Sequence, residues 1–293
     1  MRIFITGITG FLGSNLAHYL SAGQHEVFGS THCGANINAL CGALYSTVRY
    51  RFGELIPAGM FEGCDSVVHC AHDNNPGNLK LNATATLELI EAAERAGVVQ
   101  QIFVSSHSAR RDAPTSYGQI KYNIEQVFLE KGLTVIRPGL IVGPGGLFEN
   151  NVTNILRFPL LLLPEKGKAP VILIALDDLL ESLAIILEQR LSGTFNLFCA
   201  EATEMTLFVR VICNCMGVSR LIIPIPHGWI DTVINVWEGL AGDLPTELER
   251  IRAMRLNMTE EIHQTNLHHF VTEPLRMEEM VCRACYGLDL VIK

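Results

Sequence analysis

The feature that most constrains the fold is a glycine motif near the start of the chain. Residues 6–13 read T-G-I-T-G-F-L-G and lie between a predicted strand, Arg2–Thr6, and a predicted helix, Gly13–Ala22. Gly7 permits a tight turn, Gly10 lets the backbone approach a pyrophosphate, and Gly13 allows close packing of helix on strand. The helix N-terminus adds free N–H groups and a positive partial charge. In this strand–turn–helix setting the motif predicts dinucleotide binding.

Short apolar runs alternate with helical patterns through the first half of the chain. Parallel strands need a crossover connection, usually a helix, so this alternation predicts βαβ units in a parallel sheet. The runs lack a period of two, as expected of strands covered on both faces. The predicted fold class is therefore α/β, with a Rossmann-type doubly wound parallel sheet. After the first strand and helix, the predicted strands are Glu26–Ser30, Val48–Phe52, Ser66–Cys70, Gln101–Ser105 and Thr134–Arg137, and the predicted helices are Leu81–Ala96 and Tyr117–Glu130.

The pattern changes in the second half, which divides the chain into two predicted domains. An apolar, loop-rich stretch follows Pro144, and one more strand–helix unit follows at Val171–Glu188. Further on, the composition shifts to helical patterns that include both tryptophans. We predict a nucleotide-binding core over residues 1–198, in which a loop-rich insertion at about 146–170 contributes to the substrate site. Residues 199–293 are predicted to form a smaller, mostly helical substrate-binding cap.

The charge balance excludes several classes of protein. The chain has 22 Lys and Arg against 30 Asp and Glu, which gives a net charge of −8. Such an acidic chain has no general attraction to phosphate backbones or anionic lipid, so we expect neither a nucleic-acid nor a membrane partner. The longest uncharged stretch, Val27–Val48, carries polar residues and glycines and would make a poor membrane span. We therefore expect a soluble protein with a small-molecule substrate.

Nine cysteines are scattered along the chain without the spacing of a disulfide-stapled domain. This distribution favours a reducing compartment, so we expect a cytoplasmic protein. Cys213 and Cys215 form a C-x-C pair, and Cys282 and Cys285 form a C-x-x-C pair. A zinc site would join the two pairs, but apolar packing is the favoured interpretation and no metal is expected.

The residues after the second and fourth predicted strands bear on the choice of cofactor. A carboxylate at the end of the second strand would accept hydrogen bonds from a ribose 2′-hydroxyl and repel a 2′-phosphate. The chain has Ser30, Thr31 and His32 there, whose side chains can donate to a phosphate. NADP is therefore favoured over NAD, the alternative being that these residues only line a polar turn. After the fourth strand, the small residues Cys70 and Ala71 let the adenine side of a cofactor pack closely.

Two histidines flank the end of the fourth predicted strand. His69 lies inside a buried strand pattern and is expected to be structural. His72 and Asp73 follow the strand, and either face the site or are ordinary loop residues.

The chemical centre is predicted at Ser105 and Ser106 together with Tyr117 and Lys121. Tyr117 and Lys121 are four residues apart on a predicted helix and therefore project from one face of it. An ammonium group beside a phenol favours the phenolate, so Lys121 is expected to lower the pKa of Tyr117. Ser106, at the carboxyl end of a strand, can hydrogen-bond a substrate carbonyl or hydroxyl. Chance matches to Y-x-x-x-K are common, but the position of this one, after Ser-Ser and downstream of the glycine motif, predicts catalysis.

With these features the chain resembles the short-chain dehydrogenase/reductase superfamily, specifically its extended or atypical branch, which includes NAD-dependent epimerases and dehydratases of nucleotide sugars. The matches run in the family's order from residue 1 to about 190 and are specific for the fold. They are the glycine motif, D-S-V-V-H-C-A at 65–71, Asn82, V-S-S at 104–106, Y-G-Q-I-K at 117–121, R-P-G-L-I-V-G-P at 137–144 and D-D-L at 177–179.

The resemblance implies a role for each residue of the predicted centre. Tyr117 would transfer the proton, Ser106 would hold the reacting oxygen, and Lys121 would bind the nicotinamide ribose and tune Tyr117. Asn82 matches the position that supports the central helix and the proton relay. Together with the residues argued above, the implied cofactor site comprises Gly7, Thr9, Gly10, Phe11, Leu12, Gly13, Ser30, Thr31, His32, Cys70, Ala71, Asn82, Ser105, Lys121, Pro138, Gly139, Leu140 and Ile141.

The chain also departs from the nucleotide-sugar enzymes. Ten residues separate Ser106 from Tyr117, a shorter loop than those enzymes use, and the segment before Asp177 lacks their glycine-rich stretch with its arginine. These departures favour a smaller or more apolar ketone or alcohol as substrate. Plain core packing is the simpler interpretation for most of the apolar residues that would line its site, which are Leu147, Phe148, Phe158, Trp229 and Trp237.

Three functional hypotheses follow. The first is an NAD(P)-dependent oxidoreductase that transfers hydride between nicotinamide and a ketone or alcohol carbon of a small or apolar substrate, with Tyr117 as the acid/base group. The second is a nucleotide-sugar epimerase or dehydratase that uses tightly bound NAD. The third is a non-catalytic NAD(P)-binding sensor or assembly subunit, against which the presence of Ser106, Tyr117 and Lys121 argues. Members of the family often form homodimers through the helices that correspond to Leu87–Ala96 and Tyr117–Glu130, so the resemblance also implies a homodimer.

Overall fold

The computed structural model describes residues 1–32, 45–73, 75, 78–163, 165–226 and 264–288. The chain divides into two compact units. The first unit comprises Met1–Arg111, Ser116–Arg137 and Leu180–Asn196, and the second comprises Asp112–Thr115, Pro138–Leu179 and Leu197–Lys293.

The described strands and helices alternate along most of the chain. The strands are β1 (Arg2–Thr6), β2 (Glu26–Thr31), β3 (Ser46–Arg49), β4 (Ser66–His69), β5 (Gln100–Val104), β6 (Thr134–Pro138), β7 (Leu140–Val142), β8 (Leu160–Leu163), β9 (Pro170–Val171), β10 (Leu173–Ala175), β11 (Thr194–Leu197), β12 (Thr203–Glu204) and β13 (Leu221–Pro224). The α-helices are α1 (Phe11–Ala22), α2 (Leu79–Arg95), α3 (Ser116–Glu130), α4 (Gly146–Arg157), α5 (Leu176–Glu188), α6 (Met205–Cys215) and α7 (Met277–Tyr286).

A seven-stranded sheet forms the centre of the first unit, in the order β11-β6-β5-β4-β1-β2-β3. Strand β1 pairs in parallel with both β2 and β4, and the pairs β2–β3, β4–β5 and β5–β6 are parallel as well. The chain therefore runs outward from β1 in one direction and from β4 in the other. In doubly wound sheets, ligands bind at the carboxyl ends of the strands where this reversal occurs. The predicted α/β fold class is confirmed.

The helices of the first unit cover the sheet with apolar side chains. One core cluster joins Phe4 of β1 and Val67 of β4 to Leu89 of α2. Another joins Phe103 of β5 to Phe128 of α3, whose rings stack at 5.1 Å. Burial of these side chains supplies the hydrophobic stabilisation of the sheet and fixes α2 and α3 beside it.

The second unit consists of short strand pairs and helices around its own core. Strands β7 and β10 pair in parallel, as do β8 and β13, and β9 pairs with β12 in the antiparallel sense. The core contains fully buried side chains from the strand pair β7–β10 and from α4, α6 and α7. Representative members are Leu173, Phe148, Ile212 and Val281.

The prediction of a loop-rich segment at about 146–170 is wrong. Residues 146–157 form α4, and residues 160–163 form β8. Phe148, Val152 and Ile155 have helical spacing and are all buried, with asparagines between them. The glycine pair before this pattern suggested a loop, but Gly145 is the N-cap of α4 and Gly146 its first residue.

The two cysteine pairs meet between α6 and α7. Cys215 and Cys282 form a disulfide, with their Cα atoms 5.4 Å apart, while Cys213 and Cys285 are buried thiols in the same core. The prediction of apolar packing is therefore confirmed for Cys213 and Cys285 and is wrong for Cys215 and Cys282. Among the described residues, no group of three or more His, Cys, Asp or Glu side chains is placed to hold a metal ion.

Of the apolar residues considered as substrate lining, Phe148 is buried in the core of the second unit, whereas Leu147 and Phe158 are exposed. Trp229 and Trp237 lie outside the described residues. Within the described part of the chain, every helix is too short or too polar to cross a membrane.

Candidate active site

The turn between β1 and α1 leaves no room for side chains on Gly7 and Gly13. Gly7 has a φ of +66°, in the left-handed region, and a Cβ atom there would lie 2.9 Å from the Cα atom of Ala71. A Cβ atom on Gly13 would clash with the carbonyl oxygen of Gly7. Gly10 is the N-cap of α1 and supplies no side-chain cap, so the first N–H groups of the helix have no side-chain partner. This cradle fits the pyrophosphate of a dinucleotide.

The end of β2 is polar and carries no carboxylate. Ser30 and Thr31 are buried, and the Thr31 hydroxyl shares a hydrogen bond of 2.9 Å with the hydroxyl of Thr9 in the glycine turn. His32 is exposed directly after the strand. The structure thus joins Thr31 to the glycine turn and leaves His32 as the accessible side chain of the three.

The end of β4 lies against the glycine turn. The Ala71 N–H donates to the Thr6 hydroxyl at 3.1 Å. Burial raises the pKa of the Cys70 thiol to about 12, and the nearby charge of Lys121 opposes that shift. Cys70 therefore remains a thiol near neutral pH and offers a small, uncharged surface, as the prediction of close cofactor packing requires.

Asn82 fastens the loop that follows β4. Its Oδ1 accepts a hydrogen bond of 2.7 Å from the Asp73 N–H, and its Nδ2 donates to the Asp73 carbonyl at 2.9 Å. Asn82 is itself buried in α2. Its side chain thus supports the loop between β4 and α2, and the described contacts place it on the backbone of Asp73.

Ser106, Tyr117 and Lys121 come together at the carboxyl end of β5. Tyr117 and Lys121 lie one turn apart in α3, and the Lys121 Nζ is 5.8 Å from the centroid of the Tyr117 ring. The side chains of Tyr117 and Ser106 are hydrogen-bonded. The Ser106 hydroxyl also accepts a hydrogen bond of 3.1 Å from the Ser108 N–H. A substrate oxygen that contacts both hydroxyls would therefore have two positioned partners.

Lys121 is buried and held at the end of β5. Its Nζ donates to the Val104 carbonyl at 2.8 Å and lies 4.7 Å from the centroid of the Phe103 ring. Burial lowers the pKa of Lys121 to about 8, against the opposing effects of Cys70 and Glu125. The ammonium group is thus hydrogen-bonded to the end of β5 and lies further from the Tyr117 ring.

The predicted lowering of the Tyr117 pKa is wrong for this structure. Burial raises the pKa of Tyr117, and the hydrogen bond with Ser106 only partly opposes that shift. The physical reason is desolvation of the phenolate, together with the orientation of Lys121 toward the Val104 carbonyl.

Ser105 and the segment 138–141 complete the predicted cofactor residues. The Ser105 hydroxyl is buried and has no hydrogen-bond partner among the described residues. Such an orphaned polar group at the strand end fits a bound ligand. Pro138, Gly139, Leu140 and Ile141 belong to the second unit, where the Leu140 N–H donates to the Ile172 carbonyl at 2.7 Å.

Two features of the site were not predicted. The sequence allows His72 either to face the site or to be an ordinary loop residue. In the structure its ring lies edge-to-face on the Tyr117 ring, with the centroids 5.0 Å apart. Glu125, fully buried in α3, pairs with Arg137 of β6. The spacing of Tyr117, Lys121 and Glu125 at successive fourth positions could have indicated that all three lie on one helix face.

Comparisons with known proteins give a family match for the first part of the chain and similar folds for nearly all of it. Residues 3–127 match the NAD dependent epimerase/dehydratase family. No curated protein sequence matches the chain. A solved structure of a protein designated gox2253 has 21% sequence identity and a TM-score of 0.78, with 97% of each chain covered.

Two further solved structures are similar over nearly the whole chain. A nucleoside-diphosphate-sugar epimerase from Staphylococcus aureus has 16% identity and a TM-score of 0.76, covering 96% of this chain and 100% of that one. MoeE5, solved in complex with UDP-glucuronic acid and NAD, has 16% identity and a TM-score of 0.70, with 98% of each chain covered. At these identities the likeness shows the fold alone. The resemblance is confirmed to this extent: the chain shares the fold of a nucleoside-diphosphate-sugar epimerase, and residues 3–127 match the NAD dependent epimerase/dehydratase family.

Proposed function

We propose that the protein is an NAD(P)-dependent oxidoreductase acting at a ketone or alcohol carbon, with Tyr117 as the acid/base group. The observation that carries this proposal is the convergence of Ser106, Tyr117 and Lys121 at the carboxyl end of β5. In a doubly wound sheet this edge also holds the glycine turn after β1. A nicotinamide cofactor bound at this edge would supply the hydride in reduction and accept it in oxidation.

The side chains have distinct roles in the proposed reaction. In the reduction direction, the Ser106 and Tyr117 hydroxyls donate to the substrate carbonyl oxygen and stabilise the negative charge that develops on it. Tyr117 then delivers its proton to that oxygen, which leaves a phenolate. The Lys121 ammonium stabilises the phenolate electrostatically until the proton is replaced. Oxidation reverses these proton movements.

The residues at the end of β2 support a preference for NADP. No carboxylate stands at the end of β2 to repel a 2′-phosphate, and the exposed His32 follows the strand. The hydrogen bond between Thr9 and Thr31 ties this strand end to the glycine turn. A 2′-phosphate bound at this strand end would therefore lie near the exposed imidazole of His32, and residues 30–32 place no carboxylate beside it.

A second candidate is a nucleotide-sugar epimerase or dehydratase with tightly bound NAD. It is favoured by the match of residues 3–127 to the NAD dependent epimerase/dehydratase family. It is also favoured by similarity in fold to a nucleoside-diphosphate-sugar epimerase across 96% of the chain. In this reaction the same Tyr117 would serve both half-reactions, and the cofactor would show no net turnover.

We further propose a small-molecule substrate, a cytoplasmic location and a homodimer formed through α2 and α3. The cap predicted at residues 199–293 would supply contacts to the substrate. The substrate and the homodimer rest on the acidic charge of the chain and on the family resemblance. The location rests on the spacing of the nine cysteines, and the disulfide between Cys215 and Cys282 argues against it.

The test begins with nucleotide-stripped protein titrated with NADPH and with NADH. Wild type and Tyr117→Phe are then compared on a panel of ketones and alcohols, and on UDP-glucose and UDP-glucuronic acid without added reductant. Tyr117→Phe should keep cofactor affinity and lose turnover by about 10²- to 10⁴-fold, the usual contribution of general acid–base catalysis. Conversion of a UDP-sugar without net NADH formation would favour the second candidate. Retained turnover in Tyr117→Phe would overturn the assigned mechanism, and cofactor binding without turnover of any substrate would support the sensor hypothesis.

A further inference from the structure

His72 is a polar side chain that contacts the Tyr117 ring and that the proposed reaction does not use. It lies in the loop directly after β4. Because β4 and β5 are parallel, this loop is at the same edge of the sheet as Ser106, which follows β5. We propose that His72 is a specificity-determining residue that hydrogen-bonds a substrate oxygen other than the one that Tyr117 protonates. The substrate would then be a hydroxylated ketone or alcohol, such as a vicinal diol, and not a plain one. The inference rests on the proposed function for the identity of the reacting oxygen.

The backbone on the C-terminal side of His72 is fixed. The N–H and carbonyl groups of Asp73 are both bonded to the Asn82 side chain. The Asp73 carboxylate accepts hydrogen bonds from the Asn75 N–H at 2.9 Å and from the Asn78 Nδ2 at 2.8 Å. Asp73 is thus anchored to α2 and its own loop, so His72 occupies a defined position before any ligand binds. A fixed position is what a specificity contact requires.

The imidazole of His72 is placed against the acid/base residue. Its ring meets the Tyr117 ring edge-to-face at an interplanar angle of 90°, with the centroids 5.0 Å apart. The His72 Nε2 is buried and has no hydrogen-bond partner among the described residues. Buried polar groups are normally paired, so an unpaired nitrogen beside Tyr117 points to a ligand atom as its partner.

The electrostatic surroundings define which chemistry suits this nitrogen. Burial lowers the pKa of His72 to about 3, Lys121 acts in the same direction, and Asp73 opposes the shift. His72 is therefore a neutral imidazole near neutral pH, with one N–H donor and one bare nitrogen acceptor. A hydroxyl group can satisfy either nitrogen because it both donates and accepts, whereas an alkyl carbon can satisfy neither. An anionic substrate group would gain no charge–charge attraction from this ring.

The inference is tested with two probes that differ by one hydroxyl, cyclohexanol and trans-cyclohexane-1,2-diol. Oxidation of each by the NADP-loaded protein is measured for wild type, His72→Phe and His72→Gln. Phenylalanine keeps an aromatic ring against Tyr117 without nitrogen, and glutamine restores a polar group. His18→Phe is the matched control, because His18 also meets a tyrosine ring edge-to-face, at 5.7 Å from Tyr45, on the exposed side of α1.

We expect wild type to prefer the diol and His72→Phe to lose about tenfold in kcat/KM for the diol, chiefly through KM. The same variant should leave cyclohexanol oxidation unchanged, His72→Gln should recover part of the loss, and His18→Phe should behave as wild type. An equal loss on both probes would overturn the inference, since it would indicate a positioning effect on Tyr117 alone.

A binding measurement separates this inference from the proposed function. In the Tyr117→Phe background, the His72 ring nitrogens are followed by NMR while each probe is added to the NADP-loaded protein. The diol should shift the His72 nitrogen resonances and cyclohexanol should not. If the diol leaves them unchanged, the inference is wrong whether or not the protein oxidises alcohols. If the diol shifts them in a protein that oxidises no alcohol, the contact stands and the proposed function fails.

Discussion

The carboxylate of Glu125, fully buried in α3, is paired with the guanidinium of Arg137 on β6. The Arg137 Nη2 lies 2.6 Å from Oε2, and its Nε lies 3.0 and 3.1 Å from the two carboxylate oxygens. Lys121 is one turn earlier on the same helix. The pair therefore fixes the helix that carries Tyr117 and Lys121 to the strand beside β5.

Removing one partner of this ion pair should be costly. We expect Arg137→Ala to lower the free energy of unfolding by about 3–5 kcal/mol, because it leaves an uncompensated buried carboxylate. Urea denaturation provides the measurement. In the double variant Glu125→Met/Arg137→Met most of that loss should be recovered, since both charges are gone. A double variant as unstable as Arg137→Ala would show that packing, and not the unpaired charge, causes the loss.

The glycine turn predicts two different effects of adding one methyl group. In Gly13→Ala the new Cβ clashes with the Gly7 carbonyl oxygen, so we expect a loss of roughly 1–3 kcal/mol in the free energy of unfolding, typical of overpacking. In Gly10→Ala the nearest atom is the Gly7 carbonyl oxygen at 3.2 Å, so stability should change by less than about 1 kcal/mol. NADPH affinity should nevertheless fall in Gly10→Ala, because the methyl group occupies the path of the pyrophosphate. Calorimetric titration and urea denaturation measure the two effects, and unchanged affinity would argue against this cradle.

The buried histidine of β4 predicts a loss of stability in acid. Burial lowers the pKa of His69 from 6.5 to about 4, against the hydrogen bond to Gln101. Between those two values the unfolded chain binds the proton more readily than the folded one, so the stability falls as the pH falls from about 6.5 to 4. By linkage, His69 accounts for about 3 kcal/mol of this loss. The difference in unfolding free energy between wild type and His69→Asn should therefore shrink over this range.

The control for the acid prediction is His268→Asn, since His268 is exposed. Its unfolding free energy should run parallel to that of wild type from pH 7 to 4. If His69→Asn also ran parallel to wild type, His69 would titrate at the same pKa in the folded and unfolded chains.

The disulfide between α6 and α7 predicts sensitivity to reductant. Cys215 and Cys282 are 67 residues apart, and closing a loop of that length stabilises the folded state by roughly 4 kcal/mol in the chain-entropy treatment. Dithiothreitol should therefore lower the urea midpoint of wild type and leave that of Cys215→Ser/Cys282→Ser unchanged. Mass spectrometry of alkylated, non-reduced peptides identifies the linkage directly. Full alkylation of Cys215 in the native protein would contradict the bond.

Much of the first unit was predictable from the sequence, because its signals are local. The strand Arg2–Thr6, the helix ending at Ala22 and the helix ending at Glu130 agree with the structure at those boundaries. Their apolar periodicity and the glycine motif are patterns of neighbouring residues, so they can be recognised without knowing any long-range contact. The third strand was predicted at Val48–Phe52 but lies at Ser46–Arg49, since a short edge strand has few buried side chains to mark its register.

The rest depends on contacts that no local pattern contains. The helix α4 is stabilised by burial of Phe148 and Val152 in the second core, whereas the preceding glycines suggest a loop. The disulfide joins residues whose motifs are far apart in sequence. The raised pKa of Tyr117 follows from burial in three dimensions, which the Y-x-x-x-K spacing does not reveal.

The position of β11 in the sheet has a consequence for synthesis on the ribosome. Strand β11 (Thr194–Leu197) is hydrogen-bonded beside β6 in the sheet but is synthesised last. The other six strands of that sheet are complete by Pro138. At about 5–20 residues per second, translation from β6 to β11 takes roughly 3–11 s. During that interval the nascent chain presents an open strand edge, the kind that pairs with other chains. A translational pause between these two strands would prolong that exposure and favour aggregation before the chain is finished.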